Sequence, residues 1–258
     1  MMTSASSAVR AKRIATFSFT IAVLGLWVVL STIYPPYLVP RPVAVLNNML
    51  MFVSDWSFAR HTVATLGHIA ASMAAAFVLG GLLATLAHFV PVFRLAIHHR
   101  LSPFANSFSS VGWTILAVVW LGIGLPTVLV AMTAILLPFV LVNLGAGYES
   151  LPDEQIEMAR SFTRRRLRQV RLVMLPLLVP YLFATLRITF GMACQIVLIT
   201  ELFGGNSGLG YLVNIASQEV DTPLIFAVAL IMVILFQLTD HFILDPIQRR
   251  IGKTYAYS

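Results

Sequence analysis

Six stretches of this chain, residues 14–33, 63–90, 103–121, 125–146, 181–201 and 223–244, are apolar over about the length that a helix needs to cross a bilayer. Roughly 20 apolar residues span the hydrocarbon core, where a helix satisfies its own backbone hydrogen bonds. With 258 residues in all, six such runs leave room for short connections and for no separate soluble domain. Composition agrees: 10% of the residues are charged, against ~25% in a typical soluble domain. The expectation is an all-α, polytopic membrane helix bundle, a single transmembrane domain over residues 1–258. The first run follows Arg10, Lys12 and Arg13. It is too long for the apolar part of a signal peptide, and Tyr34-Pro35-Pro36 stands where a small-residue cleavage site would be, so it reads as an uncleaved first span.

Orientation follows from the basic residues near the span ends. Arg10, Lys12, Arg13, Arg94, Arg100, the six arginines between 160 and 171, Arg249, Arg250 and Lys253 fall on one side; only Arg41 and Arg60 fall on the other. The first set is expected in the cytoplasm, with both termini. A net charge of +7 is then explained by topology and anionic lipid, without nucleic acid. The single cysteine, Cys194, excludes a disulfide framework or a cysteine metal site.

The connections carry their own signals. Pro35, Pro36, Pro40 and Pro42 exclude a continued first helix, and the mildly amphipathic run from Val43 to Trp56 suits an interfacial external segment. Small residues crowd the second span, including Gly67, Ala70, Ala71, Ala74, Gly80 and Ala84, and mark it as packed against other helices inside the bundle. His68 among them reads as a hydrogen-bonded packing histidine or as a pathway residue. Gly122-Ile123-Gly124 is a tight external turn; Pro126 suits a helix start, and Pro138 is expected to kink the fourth span. Ser107, Ser109, Ser110 and Thr114 either face a cavity or bond back to their own helix.

Between the fourth and fifth spans lies the longest charged interval, a segment of about 149–172. Ser150-Leu151-Pro152-Asp153, with Glu154 and Glu157 in the early turns and Arg160 late, specifies a short cytoplasmic helix over about 151–162. Leu151, Met158 and Phe162 give it a narrow apolar stripe that a solvated loop would not need.

Glu157-Met158-Ala159, Thr163 four residues on, and Val173-Met174-Leu175-Pro176 after nine more resemble the cytoplasmic EAA motif of ABC-importer permeases. The downstream PYLFATLRITFG, Glu201, SGLGYL and DPIQRR are similar to the nitrate, sulfonate and taurine branch of that family. The resemblance covers nearly the whole chain. It implies a permease subunit of the bacterial inner membrane that imports a small, anionic organic or inorganic solute. The implied partners are two cytoplasmic ABC ATPase subunits, a second permease copy in a homodimer, and a periplasmic or lipid-anchored binding protein. ATPase-coupling residues carried over from the motif are Glu157, Met158, Ala159, Phe162, Thr163 and Pro176. Thr163 replaces the motif glycine and Met158 its first alanine. No G-x-x-x-x-G-K-[ST] run occurs, so the expected cofactor, ATP, belongs to the partner subunits and none to this chain.

Pro176 and Pro180 are expected to break the chain before the fifth span starts near Tyr181. Arg187 then lies close enough to the cytoplasmic face to snorkel, either capping carbonyls or serving as an inner gate. Gln195, Thr200 and Glu201 are candidates for lining the pathway. Asp240 and His241 form a possible ion pair near the end of the last span. Two rivals use the same residues. A proton-coupled secondary transporter would relay through Asp240, His241, Arg187 and Glu201. An intramembrane serine hydrolase would use Ser207, in the glycine-rich run from Gly204 to Gly210, with His241 as its base; the simpler reading of that run is a re-entrant turn or a docking surface.

Overall fold

The computed structural model describes residues 3–90, 107–151, 157–158, 161, 173 and 175–249, and among these it is entirely helical and turn. In chain order the helices are α1 (Thr3–Ile33), α2 (Pro42–Ser54), α3 (Trp56–Phe89), α4 (Ser110–Leu121), α5 (Leu125–Glu149), α6 (Leu175–Gly204), α7 (Leu209–Gln218) and α8 (Thr222–Thr239), the last running into a π turn, Asp240–Leu244. Four segments among the described residues are long and apolar enough to cross a membrane: Trp56–His88, Leu125–Glu149, Pro176–Gly204 and Thr222–Arg249. Phe17–Ile33, Pro42–Ser54 and Ser110–Leu121 are shorter apolar helices.

The chain divides into two units. In the first, residues 1–59 with 215–231, the prolines end α1 as expected, and the chain turns back through short-range hydrogen bonds into α2. Trp27 holds this corner: its indole N–H donates to the Pro40 carbonyl at 3.2 Å, and its ring stacks on Phe226 at 6.1 Å. Thr222 donates to the Tyr37 carbonyl at 2.7 Å. At the break between α2 and α3, Asp55 accepts the Ser57 N–H at 2.8 Å, which satisfies one of the orphan donors of the new helix. Val220, in the turn between α7 and α8, is an exposed β-branched residue at φ 57.

The second unit, residues 60–214 with 232–258, is built around α5, which packs against both α4 and α6. The glycine pair between α4 and α5 makes the tight turn, with φ of 74 at Gly122 and 154 at Gly124. Gly124 N–H donates to the Gly204 carbonyl at 2.8 Å, so this turn is fastened to the end of α6. Pro126 sits in the first turn of α5, and Pro138 lies inside a continuous helix.

The small residues of α3 divide between two sides. Ala76, Gly80 and Ala84 are buried, and a Cβ on Gly80 would stand 2.8 Å from Cγ1 of Val140, so α3 and α5 meet there almost backbone to side chain. Gly67, Ala70, Ala71 and Ala74 are exposed, contrary to a wholly buried helix. One turn beyond Gly80, Thr85 and Tyr148 share a hydrogen bond of 2.8 Å and His88 stacks on Tyr148 at 4.8 Å.

The expected break before Tyr181 is absent. Helix α6 begins at Leu175 and passes through both Pro176 and Pro180. Pro180 frees only the carbonyl four residues before it, that of Pro176, which other groups can satisfy.

Candidate functional site

Helix α6 carries every candidate pathway residue, and at 30 residues it is about 45 Å long. Two points along it are held by different chemistry. At the C-terminal end, Glu201 is completely buried. A carboxylate taken out of water needs donors on both oxygens, and two elements, α3 and α7, supply three. His68 Nδ1–H donates to Oε1 at 2.7 Å; Thr65 donates to Oε2 at 3.0 Å; Gly210 N–H donates to the same oxygen at 2.8 Å.

Gly210 lies at the start of α7, where backbone N–H groups lack helical acceptors, so Glu201 also serves as the anion at a helix N-terminus. The neighbouring amides are held in the same way: Leu209 N–H donates to Thr65 Oγ1 at 2.7 Å, and Gly208 N–H donates to His61 Nδ1 at 3.1 Å. These bonds fix the histidine tautomers. His61 accepts through Nδ1 and carries its proton on Nε2; His68 donates from Nδ1. His61 stacks on Tyr211 at 5.8 Å, and Asn214 donates to the Leu202 carbonyl at 2.7 Å, closing α7 onto α6.

Both glycines of the S-G-L-G run are required here. Gly208 has φ 104, and a Cβ on it would stand 2.2 Å from the Glu201 carboxyl carbon; one on Gly210 would stand 2.3 Å from the Leu198 carbonyl oxygen. The glycine-rich run is thus a wrap around a buried carboxylate. His61, Thr65 and His68 fall four and three residues apart, one face of a helix. That spacing is visible in the sequence, where His68 alone stands out by its small neighbours.

The second anchor is Arg187, near the middle of α6. Its Nη2 lies 2.7 Å from Asp240 Oδ2 and 3.0 Å from Asp245 Oδ1, while Nη1 donates to Gln248 Oε1. This corrects the expected pairing of Asp240 with His241. The aspartate turns to the fixed guanidinium, and His241 Nδ1 is instead 3.8 Å from Asp245. The arginine side chain remains about one third exposed, 36%, as a snorkelling cation should.

Between these two points, Gln195 is exposed. Thr200 is buried and donates to the Val197 carbonyl of its own helix at 2.9 Å. An open, apolar cavity of about 670 Å³ lies along α6, bordered by Met73 and Phe77 of α3, Leu186 and Phe190 of α6, and Ile243 of the π turn. Of the motif-derived coupling residues, Glu157 and Met158 are helical and exposed, and Pro176 is half-buried in the first turn of α6. Ala159, Phe162 and Thr163 lie outside the described residues.

The rivals lose their geometry. Arg187 and Glu201 are fourteen residues apart on one helix, about 21 Å, and Glu201 is closed off by its donors. Ser207 belongs to the Glu201 end and His241 to the Arg187 end, so no serine–histidine pair forms.

A family model described as "Binding-protein-dependent transport system inner membrane component" matches residues 76–253. The chain is 33% identical over 232 residues to the riboflavin transport system permease protein RibX of Chloroflexus aurantiacus, covering 86% of this chain and 82% of that protein. It is 28% identical over 229 residues to the taurine transport system permease protein TauC of Escherichia coli, covering 85% and 82%. Among solved structures, an inward-facing form of the MetNI methionine ABC transporter superposes with a TM-score of 0.67 at 22% identity, over 76% of this chain and 97% of that one. The match across both ends of α6 settles the family: this chain belongs to the binding-protein-dependent transport system inner membrane components, as a permease subunit of an ABC importer and not an enzyme.

Proposed function

We propose that the chain crosses the membrane six times, with α1, α3, α4, α5, α6 and α8 as the spans and both termini in the cytoplasm. The charge asymmetry supports this orientation: it puts the Arg187 end of α6 inside and the Glu201 end outside. The segment 149–172 is the ATPase-docking element. The observation that carries this is the exposed, helical Glu157-Met158 pair, set between α5 and α6 at the motif's distance from Pro176. Glu157, Met158, Ala159, Phe162 and Thr163 form its contact face, and ATP binding and hydrolysis stay with the partner subunits.

A second copy of the chain completes the pathway as a homodimer, and a periplasmic or lipid-anchored binding protein delivers the solute. Gln195, exposed midway along α6, reaches the solute from its span. Thr200 and Glu201 build the external mouth and Arg187 the inner one. The solute is a small anion of the sulfonate, taurine or nitrate kind; the names of several relatives support this class. A second reading, a planar heterocycle, draws support from the riboflavin permease at 33% identity.

The docking reading is tested by Glu157→Lys and by Ala159→Trp in the assembled importer. Both variants should insert normally, lose the ATPase on purification and lose transport. Normal co-purification with normal uptake defeats the assignment. Titrating the cognate binding protein with taurine, nitrate and riboflavin separates the two solute classes.

A further inference from the structure

Two glutamines stand exposed in the middle of membrane-spanning segments. Gln195 on α6 and Gln237 on α8 are both exposed, within about 8 Å of the midpoints of Pro176–Gly204 and Thr222–Arg249. The hydrocarbon core is ~30 Å thick, so each amide sits at a depth where lipid offers it nothing to bond. Other polar side chains in the spans close on their own helix: Asn143 donates to the Phe139 carbonyl, Thr114 to that of Ser110 and Thr185 to that of Tyr181, each at 2.8 Å. No hydrogen bond ties either glutamine amide to another described residue. Facing lipid, each would carry the full cost of desolvation; facing water or a solute, neither does.

The two amides lie on one surface. Helices α6 and α8 run antiparallel: Arg187 meets Asp240, Phe190 stacks on Phe236 at 5.8 Å, and a Cβ on Gly191 would stand 3.7 Å from the Phe236 ring. At about 100° per residue, Gln195 is turned roughly 90° from the side of α6 that makes these contacts, and Gln237 roughly 80° from the matching side of α8. Because the helices run in opposite directions, two turns of the same hand bring both amides to the same side of the pair. Exposed Tyr181, Ala184 and Ile188 share the α6 part of that side, while Phe183, Ala193 and Val197 are buried away from it. Measured from the Arg187–Asp240 contact, Gln237 stands about one helical turn along the span and Gln195 about two.

We infer that Gln237 is a second solute-binding residue of the pathway, acting with Gln195 on the face that α6 and α8 share. This rests on the reading of Gln195 given above and adds to it a residue from a different helix. A glutamine amide offers two N–H donors and one acceptor without a charge. Two of them at successive depths present N–H groups to the acceptor oxygens of a solute passing between the Glu201 end and Arg187. Neutral donors also release such a solute readily, whereas a charged donor in the same place would make a stronger bond.

The test uses the assembled importer in proteoliposomes, on a Cys194→Ser background that removes the single cysteine. Gln195→Cys, Gln237→Cys and, as a control, Leu238→Cys are made singly; Leu238 is exposed on the side of α8 turned away from α6. Each is treated, with and without ATP, with a small membrane-impermeant methanethiosulfonate that carries a sulfonate. Positions 195 and 237 should react and position 238 should not. Reaction at 195 without 237 overturns the inference and leaves Gln195 in the pathway. Failure at both, in importers that still take up solute, overturns the pathway reading of Gln195 as well, and equal reaction at 238 removes the distinction between the two sides of α8. Gln237→Leu, which keeps the bulk and removes the amide, should lose most of its uptake of whichever of taurine, nitrate and riboflavin the cognate binding protein carries, with Gln237→Asn recovering part. Undiminished uptake in Gln237→Leu also overturns the inference. Co-purification of the ATPase, scored in each variant, tells lost docking apart from lost solute binding.

Discussion

Gly208 and Glu201 stand so close that a single added Cβ would come within 2.2 Å of the carboxyl carbon. The carboxylate has no room to withdraw, being held by His68, Thr65 and Gly210. Gly208→Ala therefore meets both a clash and a φ of 104 that L-residues rarely adopt. The expected result is a loss of more than ~1–3 kcal/mol, the usual range for overpacking, seen as reduced yield and a lower melting temperature of the detergent-solubilised chain. Ser207→Ala, one residue away, is expected to leave stability and transport unchanged.

Removing the imidazole of His68 strands one oxygen of a buried acceptor, which costs about 1–3 kcal/mol, more for a charged one. His68→Ala should lower the melting temperature accordingly. His68→Gln, which keeps a donor, should recover part of the loss. Thr65→Val should cost at least as much, since that hydroxyl both donates to Glu201 and accepts from Leu209. A melting temperature indifferent to both substitutions would mean that the Glu201 end is not held as described.

The close approach of α3 and α5 makes a paired prediction. Gly80→Ala places a methyl 2.8 Å from Val140 Cγ1 and should destabilise by ~1–3 kcal/mol. Val140→Ala opens a small void. The double variant should be more stable than the sum of the two losses, and a double-mutant cycle on thermal unfolding reads the coupling directly.

Asp55 supplies the pH dependence. The Ser57 N–H and hydroxyl hold its carboxyl below the ordinary value of 3.8. A depressed carboxylate adds stability that is present above its unfolded value and fades as pH falls through the folded one. Asp55→Ala should thus be less stable than the parent at pH 7, and the gap should narrow below about pH 4. Melting curves of both proteins from pH 7 to pH 3 check the sign.

What could be read from the residues was what depends on local chemistry. Apolar length identified the helices, and the glycine pair at 122 and 124 the tight turn. The EAA-like spacing led to the family. Two features depend instead on contacts between distant residues. Glu201 and His68 are 133 positions apart; only the one-face spacing of His61, Thr65 and His68 hints that α3 has a polar side. The π turn stands just before Pro246, whose ring and missing N–H disfavour α register there, and only the fold shows Arg187 of α6 reaching both Asp240 and Asp245. Pro176 and Pro180 mislead for a related reason: whether a freed carbonyl finds another partner depends on what packs around the helix.

The unequal fastening of α6 has a mechanical meaning. At its Glu201 end the helix is joined to α3 and α7 by bonds closed off from water; at Arg187 it is joined by ion pairs that solvent reaches. Ion pairs in contact with water are weak and exchange readily, while a dry, fully bonded cluster opens rarely. A rod about 45 Å long, fixed near one end at Glu201 and loosely tied near its middle at Arg187, behaves as a lever with a built-in fulcrum. A tilt of only ~5° about Glu201 would carry the opposite tip about 3 Å, more than half the rise of one helical turn.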